Sequence, residues 1–189
     1  MKKIIVTTAF TLCCYITLFA QDAGSMKAWQ DYMTPGDVHK MLAKYNGDWN
    51  EAITFWMQPG APPTQATSTA HTEMIMGGRY QESKITGNMM GMPFEGFSLL
   101  GYDNLKKIFT STWVDNFGTG TTTLQGTWDS TAKMILLDGK EVDPMSGNDM
   151  DIKETIQFID DNTQKIVMFK RVPLGEIKTM EITLTRAMH

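Results

Sequence analysis

From Asp48 onward, apolar and polar residues alternate along short segments, which is typical of β-strands that bury only one face. Threonine and aromatic residues, which suit a pleated and half-buried surface, are frequent in these segments. Ten strands are predicted in this way, at Trp49–Met57, Ala66–Met76, Arg79–Ile85, Phe94–Tyr102, Ile108–Val114, Thr119–Trp128, Met134–Val142, Met150–Ile159, Lys165–Val172 and Lys178–Arg186.

The connections between these strands are short and rich in turn residues, as in Gly77-Gly78, Asp103-Asn104 and Asp160-Asp161-Asn162. None is long enough for the crossover helix that parallel neighbours require. A long antiparallel sheet exposes its two edge strands unless it closes on itself. The sequence therefore predicts a mainly β fold, a single antiparallel up-and-down barrel of about ten strands.

One segment ahead of the strands has a helical period instead. Val38, Met41, Leu42 and Tyr45 recur at the spacing of one helix face. Thr34 is a good N-cap and Pro35 suits the first helical position, while Asn46-Gly47 ends the pattern. We expect one short helix here, near a barrel mouth, and a barrel domain over residues 34–189.

The first 20 residues have the order of a secretory signal peptide. Lys2 and Lys3 are followed by the uncharged stretch Ile4–Ala20 and then by a polar run. This stretch of 17 residues contains four threonines and falls short of the roughly 20 apolar residues that a membrane span needs. Cleavage near Ala20 is favoured over an uncleaved anchor, and residues 21–33 are interpreted as a flexible leader. An exported protein, periplasmic or extracellular and without a membrane span after cleavage, is expected.

Charge and cysteine content then exclude several function classes. Loss of Lys2 and Lys3 changes the formal net charge from −4 to −6, and no stripe of basic residues occurs, which argues against nucleic acid as a partner. Both cysteines, Cys13 and Cys14, lie in the signal segment. The mature chain therefore lacks a disulfide framework, thiolate metal sites and a cysteine nucleophile.

Several motifs together resemble a known bacterial family. Gly47-Asp48-Trp49 is similar to the Gly-x-Trp element that opens the first strand of lipocalins and related calycin barrels. The wider set resembles the bacterial family catalogued as domain of unknown function 1579, over nearly the whole mature chain. This resemblance implies a lipocalin-like barrel and no established activity or catalytic residue. The motifs that carry it are Trp56-Met57-x-Pro59-Gly60-Ala61-Pro62-Pro63, Met76-Gly77-Gly78-Arg79, Met89-Met90-Gly91-Met92-Pro93-Phe94-Glu95-Gly96, Gly101-Tyr102-Asp103-Asn104, Ser111-Thr112-Trp113-x-Asp115-Asn116 and Lys178-Thr179-Met180-Glu181.

The alternation also predicts which charged side chains point into the barrel. Glu154 shares a face with Ile152, Ile156 and Phe158, Arg186 continues the apolar face of the last strand, and Arg79 begins the third strand. An isolated buried carboxylate costs several kcal/mol, so Glu154 should be paired with a cation, hydrogen-bonded or protonated. Two interpretations stay open: a structural ion pair of Glu154 with Arg186 or Arg79, and a polar clamp for a ligand in which an arginine fork receives a carboxylate or phosphate.

Trp113 and Asp115 share one face of the fifth strand, where they offer an aromatic wall and a hydrogen-bond acceptor to a cavity. The alternative is a core tryptophan followed by an aspartate that caps the next turn.

A second candidate feature is a methionine-rich loop. Met89, Met90, Met92 and Phe94 are interpreted as a flexible apolar lid over the barrel mouth. Thioethers also suit Cu(I), but no histidine lies near this cluster in the sequence. Haem bound through an inner-face histidine would need His71, whose neighbours place it on the outer face. No metal and no cofactor are predicted.

These observations favour a non-enzymatic protein that binds a small apolar or amphipathic ligand inside the barrel. The candidate ligand-binding residues are Arg79, Trp113, Asp115, Glu154 and Arg186. Two alternatives are a structural or protein-interaction barrel with a filled core, and a cavity enzyme that uses Glu154 and Asp115. The sequence indicates no particular protein partner.

Overall fold

A computed structural model of the protein describes residues 24–58 and 60–188, and its chain divides into two units, Met1–Thr34 and Pro35–His189. The predicted signal peptide, residues 1–20, lies outside the described residues.

In the first unit, residues 24–33 form a helix, α1, where the sequence analysis predicted a flexible leader over residues 21–33. A Lys27–Asp31 ion pair, one helical turn apart, spans this helix. Thr34 ends it, because its hydroxyl donates a 2.6 Å hydrogen bond to the carbonyl of Gln30. Met26, Trp29 and Met33 follow the spacing of one helix face, a signal within residues 21–33 that pointed to α1.

The second unit begins with the predicted short helix, α2, over Asp37–Ala43. Its N-cap is Gly36 rather than the predicted Thr34, and the Gly36 amide donates a 3.1 Å hydrogen bond to Nδ1 of His39. Leu42 is fully buried on this helix. Within the two described ranges, no helix combines the length and the apolar character needed to cross a bilayer.

The rest of the second unit is a closed barrel of antiparallel strands, which confirms the predicted fold class. Each strand pairs with its neighbours along the chain, and the first pairs with the last to close the sheet. The strands are β1 (Gly47–Phe55), β2 (Thr64–Ile75), β3 (Tyr80–Met89), β4 (Met92–Asp103), β5 (Ile108–Asp115), β6 (Thr122–Asp129), β7 (Met134–Val142), β8 (Asp149–Asp160), β9 (Thr163–Val172) and β10 (Gly175–Arg186).

One end of the barrel, which we call the helix end, lies against α2. Here Nε1 of Trp49 donates a 3.0 Å hydrogen bond to the carbonyl of Tyr45, whose ring packs 4.4 Å from that of Phe158. Gln81, which faces inward at the start of β3, donates a 2.9 Å hydrogen bond to the carbonyl of Leu42. Buried aromatic and aliphatic side chains therefore fill the helix end. The opposite end, which we call the open end, carries the β1–β2, β3–β4, β5–β6, β7–β8 and β9–β10 connections.

Arg186 connects separate segments of the chain at the helix end by hydrogen bonds. Its Nη1 and Nη2 atoms donate to the carbonyls of Asn46 and Lys44 at 2.8 and 2.9 Å, just after α2. Nη2 also donates to the carbonyl of Asp161 in the β8–β9 turn, at 2.8 Å. The guanidinium lies 4.5 Å from the ring centre of Trp49, where a cation is attracted to the aromatic face. One side chain thus joins α2, the start of β1 and the β8–β9 turn.

Candidate functional site

The barrel encloses a cavity of about 350 Å³ between the filled helix end and the open end. Inward-facing side chains of nearly all strands line it, in the alternation that a pleated sheet imposes. Most of the lining is apolar, including the aliphatic residues Ile53, Ile85, Leu124, Ile166, Ile182 and Leu184. The side chains therefore leave space inside the barrel, unlike the filled core of one alternative interpretation.

Aromatic side chains surround the cavity near the open end. The ring of Phe94 stacks on Trp113 with centres 6.3 Å apart and meets Phe117 edge-on at 5.3 Å. Gly96 makes room for the indole, because a Cβ atom there would lie 2.4 Å from Cη2 of Trp113. The predicted aromatic wall at Trp113 is thus present and lines the cavity.

Asp115 lines the cavity as well, but its oxygens already have partners. Oδ2 accepts a 2.7 Å hydrogen bond from Nε1 of Trp113. Oδ1 accepts hydrogen bonds from the backbone amides of Phe117 and Gly118, at 2.9 and 3.1 Å. This geometry agrees with the alternative in which Asp115 caps the turn after β5, since both of its oxygens hold the local structure.

Glu154 lies midway along β8, between Leu137 of β7 and Met168 of β9. Its carboxylate faces the cavity, and it makes no hydrogen bond or ion pair with any described residue. The part of the Glu154 side chain that remains accessible faces the cavity, and the barrel wall surrounds this cavity. Burial raises the pKa of Glu154 to about 7. The ion pair predicted for Glu154 is therefore missing, whereas its raised pKa agrees with the protonated state that the sequence also suggested.

The two arginines predicted to face inward lie outside the cavity lining, and the prediction that either pairs with Glu154 is wrong. Arg79 lies in the turn before β3, and its Nη1 donates a 3.0 Å hydrogen bond to the carbonyl of Met76. Arg186 ends β10, and its guanidinium binds the carbonyls at the helix end. The unpaired carbonyl oxygens at helix and turn ends attract these long side chains away from the barrel axis.

Two further carboxylates line the cavity and were not among the predicted site residues. Glu51 on β1 is 6% exposed, and its Oε2 accepts a hydrogen bond from Ser68 Oγ at 2.5 Å. Burial raises the pKa of Glu51, and the Ser68 bond partly opposes that rise. Glu141 faces the open end, where burial and the nearby charge of Asp115 raise its pKa. Glu51 could have been found from its phase with Trp49 on β1.

The methionine-rich segment, predicted as a flexible apolar lid, is a tight hairpin turn. Met90 and Gly91 both have positive φ, 53° and 82°, and directly connect β3 with β4. Met89 and Phe94 are buried and line the cavity, while Met90 and Met92 are exposed. Two of the four predicted lid residues therefore belong to the cavity wall.

The two histidines that the structure describes, His39 and His71, do not line the cavity. His71 lies on the outer face of β2, and its Nδ1 is 2.6 Å from Oδ1 of Asp48. His39 is buried on α2, where burial lowers its pKa. Haem ligation from the inner face is therefore not supported by either side chain. In the described part of the chain, no group of three or more His, Cys, Asp or Glu side chains is arranged to hold a metal ion.

Comparison with known proteins identifies the family. No curated protein has a significantly similar sequence. Among solved structures, Rv2717c from M. tuberculosis is similar in fold, with a TM-score of 0.57 and 15% sequence identity over 82% of this chain and 100% of that chain. The model of the family described as protein of unknown function (DUF1579) matches residues 34–186, and the chain belongs to that family.

Proposed function

We propose that the protein is an exported barrel that binds a small apolar or amphipathic ligand in its interior and catalyses no reaction on it. The observation that carries the proposal is the cavity of about 350 Å³ with a mostly apolar lining and an unpaired carboxylate. Small-molecule sites are usually concave, mostly apolar and equipped with a few polar groups, and they begin at about 300 Å³.

The polar groups of the cavity suggest how a ligand is oriented. Glu154 lies in the middle of the barrel, whereas Phe94 and Trp113 surround the space near the open end. A ligand that enters by the open end directs its polar group to Glu154 and leaves its apolar part among the aromatic rings. Asp115 and Trp113 then form part of the cavity wall, and the hydrogen bond between them fixes their position.

The cavity enzyme is the less favoured alternative. Burial raises the pKa of Glu154 to about 7, which suits a general base at neutral pH. A two-carboxylate mechanism would also need Asp115, whose two oxygens bind Trp113 and the amides of the following turn. The second carboxylate of the suggested pair is thus engaged by its own turn, so binding explains the arrangement better.

Filling the cavity should abolish ligand binding without unfolding the barrel. Ile182 lines the cavity in the middle of β10. We expect Ile182→Trp to weaken binding of the neutral fluorescent probe N-phenyl-1-naphthylamine at least tenfold, because the indole occupies space that the probe requires. Fluorescence titration measures the dissociation constant, and circular dichroism verifies the fold.

The matched control is Ala52→Trp, which adds the same indole on the exposed outer face of β1. This variant should bind the probe as the unmodified protein does. Equal binding by all three proteins would place the probe elsewhere and contradict the proposal. Native mass spectrometry of protein purified from its own source would then identify any ligand that remains bound.

The export part of the proposal rests on Lys2, Lys3 and the uncharged stretch Ile4–Ala20. Intact-mass analysis of the protein from its own source is expected to give a chain that begins at Gln21. A mass that retains Met1 or Lys2 would contradict cleavage.

A further inference from the structure

The charged groups that line the cavity all have the same sign. They are four carboxylates, Glu51, Asp115, Glu141 and Glu154, and the described lining contains no lysine, arginine or histidine. A low-dielectric enclosure strengthens the field of such groups compared with the same charges in water. The cavity therefore favours a cation over an anion, contrary to the arginine clamp that the sequence suggested.

Glu154 is the carboxylate in this set that is both deep in the barrel and without a partner. Glu51 accepts a hydrogen bond from the Ser68 hydroxyl, and Asp115 accepts hydrogen bonds from the turn that follows β5. Glu141 faces the open end. In the strand register, Glu154 is opposite Leu137, four residues before Glu141 on β7. At the usual rise per residue, this separation places Glu154 about 13 Å farther from the open end than Glu141, measured along the strand.

Cations of the neighbouring strands do not reach Glu154, because they pair on the outer surface. Nζ of Lys153 lies 3.0 Å from Glu176, and Nζ of Lys165 lies 2.9 Å from Glu181. These lysines occupy the outward positions of β8 and β9, opposite in phase to Glu154. Among the described residues, none therefore supplies a counter-ion to Glu154 inside the barrel.

We propose that the ligand of this barrel is an amphiphilic amine, whose protonated nitrogen pairs with Glu154 while its apolar chain extends toward the open end. This inference rests on the proposed ligand-binding function and specifies the chemical class of the ligand. Asp115 and Glu141 attract the cation to the open end, and the faces of Trp113 and Phe94 favour its passage.

The energetics favour this class because the folded protein already carries the cost of burying Glu154. An ion pair formed in a protein interior normally requires both groups to lose their water. Here the barrel wall already shields the carboxylate from bulk water before the ligand arrives, so binding removes less water from Glu154 than from an exposed carboxylate. The raised pKa of Glu154 has the same origin, and an arriving cation stabilises the charged carboxylate. The other titratable groups lining the cavity, Glu51, Asp115 and Glu141, favour the cation as well.

The test uses three ligands with one chain and different head groups: octylamine, octanol and octanoate. Each displaces N-phenyl-1-naphthylamine from the full-length mature protein at pH 8, below its aggregation concentration. Octylamine is expected to bind at least tenfold more tightly than octanol, and octanoate more weakly than octanol. These differences isolate the head group, because the apolar contribution of the chain is shared.

The key variant is Glu154→Gln, which keeps the size of the side chain and removes its charge. It should lower octylamine affinity at least tenfold and leave octanol affinity within about twofold. The matched control is Glu141→Gln, which removes a carboxylate of the same cavity near the open end. This control should lower octylamine affinity less than threefold. Glu154→Asp, which retains the charge, should keep the preference for the amine over octanol.

The outcomes separate this inference from the function on which it rests. If octanol binds in the cavity and octylamine binds no better, the amine is wrong and the ligand-binding function stands. Equal loss of octylamine affinity in Glu154→Gln and Glu141→Gln would also overturn the role of Glu154. If neither octylamine nor octanol displaces the probe, and Ile182→Trp does not affect it, the ligand-binding function itself fails.

Discussion

Arg186→Ala is expected to lower the free energy of unfolding by roughly 3–5 kcal/mol, the largest effect of any single surface-accessible side chain in this barrel. The guanidinium donates hydrogen bonds to carbonyl oxygens of Lys44, Asn46 and Asp161, and it stacks on Trp49. Its removal leaves these carbonyls at the end of α2 and in the β8–β9 turn without their donor. Urea denaturation followed by tryptophan fluorescence measures the change.

A lysine at this position should restore little of the lost stability, because an ammonium group cannot reproduce the planar fork of donors. The matched control is Arg171→Ala on β9. Arg171 pairs with Asp138 and Glu176 on the outer surface and is 43% exposed, so its loss should cost less than about 1 kcal/mol. If the two alanine variants lose equal stability, the claim that Arg186 stabilises the helix end through these hydrogen bonds is wrong.

Glu154→Gln is expected to remove a decrease in stability that the unmodified protein shows between about pH 4.5 and pH 7. The pKa of Glu154 rises from 4.5 in the unfolded chain to about 7 in the folded protein. Across this interval the folded state holds a proton that the unfolded state releases, so the free energy of unfolding falls as pH increases. A shift of this size corresponds to a loss of roughly 3 kcal/mol above pH 7.

The amide of the glutamine variant carries no proton that titrates in this range. At pH 8 the variant should therefore be more stable than the unmodified protein by about 2–3 kcal/mol, whereas near pH 4 the two should be similar. Glu51 and Glu141 have raised pKa values, so some decrease with pH should remain in the variant. The control is Glu73→Gln on the outer face of β2, which should retain the full decrease. Parallel pH profiles for all three proteins would contradict the burial of Glu154.

The strands and their inward faces could be predicted from sequence because a pleated sheet repeats every two residues. Trp113, Asp115 and Glu154 were assigned to inner faces in this way, and all three line the cavity. The same rule failed at Arg186, which ends its strand. A long side chain at a strand terminus follows the nearest unpaired carbonyl oxygens and not the phase of its strand.

The details of the cavity could not be predicted, because they depend on distances between strands far apart in the sequence. The two-residue alternation of a strand places Glu51 on the inner face of the barrel, but it does not show that Ser68 lies opposite Glu51 on β2. It also does not indicate which carboxylate will remain unpaired. The turn at Met90-Gly91 lacks the asparagine or aspartate that usually precedes glycine in such hairpins, which is why it was interpreted as a longer loop.

The seam between β1 and β10 determines when this barrel can be completed. In the described chain, nine of the ten strand pairings join consecutive strands, while the tenth brings Trp49 opposite Arg186. Consecutive strands are joined by short loops, so they can pair without distant parts of the chain. The pairing of β1 with β10 requires the last strand. Until then β1 and the most recently added strand both offer unpaired backbone groups to other chains. Association with other chains through unpaired strand edges is therefore expected chiefly before β10 pairs with β1.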